Sequence, residues 1–217
     1  MTEDQTRRYS MYIAMQAFLE KSKHITFGLP RFDTFFNPFC DGLREITRVH
    51  KLREARKDGF GETRLRLRKL IVNQGADIAR RVQAYAIVRN NGEIINAGCY
   101  TEATLERASD NLLIQNTRSL IGQCIPILRD LSPYGIERKT LRDLEVIQHD
   151  LILILPYQGM KDQNPDLPEL KDLFAITDSW LARMDALVAI FNIADSDFFR
   201  SYKKNREFEQ TPLHSTN

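Results

Sequence analysis

The sequence predicts an all-α protein, an elongated and mostly antiparallel bundle of about six long helices. Three observations carry this reading. Apolar residues recur at three- and four-residue spacing along most of the 217-residue chain. Short clusters of turn residues separate the periodic stretches, as they do between neighbouring antiparallel helices. The stretch that most resembles a β-hairpin, "QAYAIVRNNGEIINAGCY" over Gln83–Tyr100, follows a helical rather than an alternating pattern. One domain is expected over residues 1–208, with a disordered tail over 209–217.

The first helix carries the stripe Tyr9, Tyr12, Ile13, Ala17, Leu19 and stops before "FGLP", where Gly28 and Pro30 are breakers. A second stripe runs Phe39, Leu43, Ile46, Val49, Leu52, with Asn37-Pro38 placed to cap and open it. It fades into "KDGFGE", Lys57–Glu62, which reads as a loop. The third stripe is Leu67, Ile71, Gly75, Ile78, Val82, Tyr85, and "ADIARRVQAYA" within it does not alternate. This helix therefore reaches about Arg89. Asn90-Asn91-Gly92 supplies residues tolerant of a left-handed C-terminus, and "EIINAGCY" is left as loop. At 1.5 Å per residue such a helix spans roughly 40 Å.

A fourth helix is capped by Thr101 or Thr104 and continues through Leu105, Ala108, Leu112, Leu120, Cys124, Ile127 and Leu131. Pro126 lies inside it and Gly122 four residues earlier, so a kink is expected there. After the turn "SPYGIERKT", Leu141, Leu144, Ile147, Leu151 and Ile154 carry a fifth helix, and "QNPDLP" ends it. The sixth has the cleanest pattern: Leu170, Phe174, Thr177, Leu181, Met184, Val188, Phe191 alternate four and three, a heptad seam. A last helix is expected in "SDFFRSYKKNREF".

Bulk properties narrow the class. Hydrophobic residues at 42% and charged residues at 28% are globular rather than disordered values. The longest strictly apolar run, Ala186–Phe191, is far below the roughly 20 residues of a membrane helix, so no membrane partner is expected. The opening "MTEDQTRRYSMY" has two acids ahead of its first base and no apolar core, so no leader is expected. Cys40, Cys99 and Cys124 are odd in number and widely spaced, which fits a reducing compartment and hence the cytoplasm. Of the three, Cys124 sits on an apolar stripe and should be inert, while Cys99 falls in a loop.

Catalytic patterns do not assemble. "DGFGE" contains GxG but no third glycine and no preceding strand; there is no GxxxxGK, no GxSxG, and the four histidines are scattered. No cofactor and no small-molecule substrate is evident. Glu145 and His149 lie four apart on one helical face with Asp150 beside them, half of a metal site at most, and Asp178 and Asp185 lie seven apart on the sixth helix. The simpler reading of these acids is a flanking stripe that caps, solvates or pairs with arginines of the basic helices.

Charge is unevenly spread. Arg44–Arg81 holds twelve Lys/Arg against five Asp/Glu, or +7, and Thr101–Arg200 ten against sixteen, or −6. Arg44, Arg48 and Lys51 on one helix and Arg64, Arg66, Arg68 and Lys69 on the next are candidate nucleic-acid contacts. Against that reading, no aromatics interleave with them, no helix-turn-helix spacing is present, and the overall pI is about 8.4. Among the aromatics, Trp180 borders the heptad seam, and Phe32, Phe35, Phe36 and Phe39 cluster near "GLPRF" to plug one end of the bundle. Trp180, Phe35 and Phe36 are the candidate protein-contact residues.

In order, "GLPRF", "ARRVQAYA", "DLSPYGIERKTLRDLE", "TDSWLARMDALVAIF" and "SDFFRSYKKNREF" resemble an uncharacterised bacterial family of about 200-residue helical-bundle proteins. The resemblance implies the fold over nearly the whole chain and brings no activity with it. The basic run at Arg64–Lys69 and "NNGEIINAGCY" depart from it. The function expected is a non-enzymatic structural or protein-interaction bundle that binds a protein partner or itself. The alternative is nucleic-acid binding through Arg44–Arg81.

Overall fold

Helical periodicity becomes helix wherever the chain is described. The structure is a computed structural model that describes residues 1–26, 28–89, 100–158, 166–191 and 196–207, and among these no strand forms. The α-helices are α1 (Glu3–Lys21), α2 (Lys23–Thr26), α3 (Phe32–Asp58), α4 (Phe60–Arg89), α5 (Glu102–Arg107), α6 (Asp110–Cys124), α7 (Leu128–Leu131), α8 (Arg138–Ile154), α9 (Leu170–Val188) and α10 (Ser196–Arg206). Single 3₁₀ turns at Ile125–Ile127, Ser132–Tyr134 and Leu155–Tyr157 follow α6, α7 and α8. The fold is all-α. Residues 90–99, with the Asn-Asn-Gly helix end and Cys99, lie outside the described residues, as does the tail over 209–217.

Several boundaries differ from expectation, each for a local reason. Helix α3 starts at Phe32 rather than at Asn37, so Pro38 lies inside it and one backbone hydrogen bond is missing. Arg31, just ahead of it, holds a left-handed φ of 61°. The loop expected at Lys57–Glu62 shrinks to one residue, Gly59, whose φ of 85° separates α3 from α4. The expected fourth helix is three pieces. Thr101 caps α5 by accepting from Thr104 N at 3.2 Å, and Ser109 caps α6 by accepting from Leu112 N at 3.3 Å. At Pro126 the chain turns 3₁₀ instead of only kinking. In α1 the core stripe is Met11, Tyr12, Met15 and Leu19, while Ile13 is 46% exposed.

Where the sequence reading expects one domain over 1–208, contacts gather into two compact units: Met1–Lys51 with Asp166–Asn217, and Leu52–Pro165. The boundary falls within α3, which is one continuous helix.

In the first unit, α9 buries its seam at Leu170, Phe174, Thr177, Leu181, Met184 and Val188, and Phe191, past its end, is half-buried. Tyr12 is fully buried between Phe39 and Phe174, with ring centroids 5.6 and 5.7 Å away. Gly42 of α3 faces Thr177, whose hydroxyl would collide with a Cβ there, so glycine sets how closely α3 and α9 approach. Two carboxylates of α9 are each gripped by a tyrosine and an arginine. The Tyr12 hydroxyl and the Arg8 guanidinium, both from α1, donate to Asp178. The Tyr202 hydroxyl donates to Asp185 at 2.7 Å, and Arg206 Nε donates to the same group at 3.2 Å, both from α10. In each helix the Tyr and Arg are four apart, so one face presents both.

In the second unit α8 runs antiparallel to α4. Phe60 stacks on Tyr157 at one end, centroids 5.4 Å apart, and Arg81 donates to the Gly135 carbonyl at 3.1 Å at the other. Helix α6 instead runs parallel to α4: Arg64 meets Asp110 and Gly75 meets Thr117. A Cβ on Gly75 would lie 3.0 Å from the Thr117 methyl and 3.2 Å from Leu105, which explains a glycine on an apolar stripe. Thr117, fully buried, donates to the Leu113 carbonyl at 2.7 Å and accepts from Gln148 Nε2 at 2.7 Å.

Burial, followed by the facing carboxylates, pushes the Tyr12 and Tyr202 hydroxyls well above the ordinary tyrosine range. Both favour the protonated form in the folded state. Their stabilisation is therefore complete below the unfolded pKa of about 10 and is lost as pH climbs above it. Tyr12→Phe and Tyr202→Phe should each lower stability at neutral pH by about 1–2 kcal/mol. Each should also flatten the fall in stability above pH ~10. Urea unfolding followed by circular dichroism at a series of pH values checks both effects.

Candidate interaction face

The basic stretch is largely occupied by its own chain. Arg64 and Arg68 both donate to Asp110, at 2.7 and 2.5 Å, and Arg68 also donates to the carbonyls of Glu106 and Ala108 at 3.1 and 2.8 Å. One guanidinium thus satisfies the open C-terminal end of α5 and the acid in the first turn of α6. Burial opposes ionisation of Asp110, but the hydrogen bonds from Arg64 and Arg68 prevail and hold its pKa below the usual range. Arg66 pairs with Asp58 at 3.5 Å, Arg44 pairs with Asp41, and Arg48 donates to both oxygens of Glu45 at 2.8 and 2.6 Å. Lys51 is also engaged. Lys69 is exposed.

The acids of α9 pair with arginines, as expected, but with those of α1 and α10 rather than of the basic helices. Glu145 and His149 do come together: with Gln148 of α8 and Arg118 and Ile121 of α6 they line a cleft of about 480 Å³. Arg118 would oppose a cation there. No group of three His, Cys, Asp or Glu able to hold a metal occurs among the described residues. Nor is any described helix long and apolar enough to cross a membrane. Burial pushes the thiols of Cys40 and Cys124 up to about 11, so neither is a ready nucleophile.

Large apolar residues are exposed on α4, at Leu65, Ile87 and Val88, and on the outward side of α9, where an aromatic pair joins them. Phe35 and Trp180 are brought together, half-buried and stacked with centroids 6.4 Å apart. Arg183 covers the pair, 4.4 Å from the Trp180 ring centre and 5.9 Å from that of Phe35. Phe36 does not join them. One residue further along α3 is turned by about 100°, and Phe36 faces the core at 5% exposure, stacked between Phe32 and Phe39.

The Phe35–Trp180 pair belongs to a longer feature. Leu173, Ile176, Trp180, Leu187 and Ile190 form a second apolar line beside the buried seam, with Arg183 filling its remaining position. Ile176 is 55% and Ile190 61% exposed. Next to it runs a line of small exposed residues, Ala175, Ser179, Ala182, Ala186 and Ala189. Charged residues on the exposed surface of α9 are confined to Lys171, Asp172 and Arg183. By contrast, Val146 is the only apolar residue among the exposed positions of α8. A helix apolar on most of its circumference is normally covered on most of it. The second line repeats the three-four alternation of the first and was readable in the sequence.

No family model, no curated protein and no solved structure matches the chain. The family resemblance noted above therefore rests on the quoted segments alone.

Arg68→Ala is predicted to cost the second unit about 2–4 kcal/mol, since it leaves Asp110 and two helix-end carbonyls short of a partner. Arg66→Ala, which breaks a long exposed pair, should cost less than about 1 kcal/mol. Asp110 has a depressed folded pKa, so its contribution is present above about pH 4 and lost as pH falls through the folded value. Asp110→Asn should accordingly weaken the acid-side loss of stability. Denaturant titrations from neutral to acid pH measure all three.

Proposed function

We propose that the protein is a non-enzymatic interaction module that docks through the outward side of α9. The observation that carries this reading is the pair of exposed isoleucines, Ile176 on α9 and Ile190 just past its end, beside the half-buried Trp180 and flanked by alanines. The Trp180–Phe35 stack beneath Arg183 supplies what a contact centre needs: a large, rigid aromatic surface and a cation held over it. The site is built on a helix whose inner seam is fully packed, so the face is held ready rather than ordered on binding. Nucleic-acid binding has less support, because Arg64 and Arg68 are committed to Asp110.

The test compares two faces of the same molecule. A photo-crosslinking residue at position 176 on α9, introduced in the full chain in its own host, should give a discrete protein adduct. The same residue at position 146, on the exposed side of α8, should not. Equal labelling from both positions, or none from 176, defeats the proposal.

A further inference from the structure

We infer that the partner of the α9 face is a second copy of this chain, packed antiparallel across a two-fold axis. This rests on the proposed docking face and names what covers it.

A two-fold antiparallel helix pair brings like sides of the two faces together, with residue i of one copy level with residue j of the other when i + j is constant. Seen with α9 as a cylinder, Arg183 and Asp172 lie close together on the exposed side. A register that sets Asp172 opposite Arg183 of the second copy pairs opposite charges, and the two-fold doubles the pair. In the same register Ile176 of each copy packs beside Trp180 of the other. Ala175 lies between Ser179 and Ala182, small against small, which lets the helix axes approach towards the lower limit near 8 Å. Asp172 has no side-chain partner among the described residues, so it is available. Asp178, close to the axis, and Asp185 are already paired, with Arg8 and Arg206. A parallel pairing offers none of this: it puts Arg183 at the height of Arg183 and Asp172 at the height of Asp172.

A single helix face of 19 residues is at the small end of specific interfaces, below about 1,200 Å². Association is accordingly expected in the micromolar range.

Sedimentation equilibrium of the purified full chain across that range, with a charge swap, decides the matter. Wild type should dimerise. Asp172→Arg and Arg183→Asp should each weaken the dimer by roughly tenfold or more, and the doubly substituted chain should recover most of that loss. Circular dichroism confirms that each exposed substitution leaves the helices intact. Ile176→Cys mixed with Ser179→Cys, both in a Cys99→Ser background, gives a second reading. The mixture should form a disulfide-linked heterodimer, and neither variant should link efficiently to itself. A monomer at every concentration, or single substitutions that the double does not rescue, overturns the pairing. If the monomer still gives a position-176 adduct with another protein, the docking face stands and only its occupant changes. If neither a dimer nor an adduct appears, both readings fall.

Discussion

Two carboxylates on one helix organise the first unit. Asp178 and Asp185 stand two turns apart on α9, and each is held by a tyrosine hydroxyl and an arginine that lie four residues apart on another helix. Hydrogen bonds to ionised acceptors are stronger than neutral ones and demand closer alignment. The pairs Arg8–Tyr12 and Tyr202–Arg206 therefore fix the rotation of α1 and α10 about their own axes as well as their position along α9. That rotation turns Met11, Tyr12, Met15 and Leu19 inwards on one side and Phe198 and Tyr202 on the other. Apolar burial supplies most of the driving force, but it is tolerant of small rotations. The charged clamps are not.

Fixing one side of α9 in this way leaves the other side to be explained. The clamps lie along one edge of the buried seam and the Trp180–Phe35 stack along the opposite edge. Between these edges, away from the core, are the alanines and Ile176. A helix that only had to fill the core of this unit could carry charged residues there at no cost in packing, as α8 does with Arg138, Lys139, Arg142, Asp143 and Glu145. From Ala175 to Ala182 the exposed positions of α9 carry no charge, and the functional reading turns on that.

The helices were legible because burial on one side imposes a period of 3.6 that composition cannot hide. The breaks were less so. Ser109 reads as one more polar residue within a helical stretch until its hydroxyl is seen to accept from Leu112 N, and Gly59 gives no hint that it alone separates two helices of 27 and 30 residues. Side-chain partners were the least legible, because Arg8 and Asp178 are 170 positions apart and nothing in local spacing links them. The same limit explains the basic stretch. Counted along the chain, Arg64 and Arg68 resemble a surface for phosphate; in the fold they are the partners of Asp110. Phe36 shows a smaller version of the problem: clustered phenylalanines are obvious in sequence, but which of two neighbours faces inwards depends on where the helix begins.

The discontinuity of the first unit bears on how the protein is made. Its two parts, Met1–Lys51 and Asp166–Asn217, flank the whole of Leu52–Pro165. On a ribosome the second unit emerges complete while the first is still missing α9 and α10. At about 5–20 residues per second, the inner faces of α1 and the start of α3 wait on the order of ten seconds or more for the helix that carries Asp178. During that interval Tyr12, Phe36 and Phe39 lack the core that α9 completes, so the nascent amino-terminal segment exposes apolar surface that the finished fold buries.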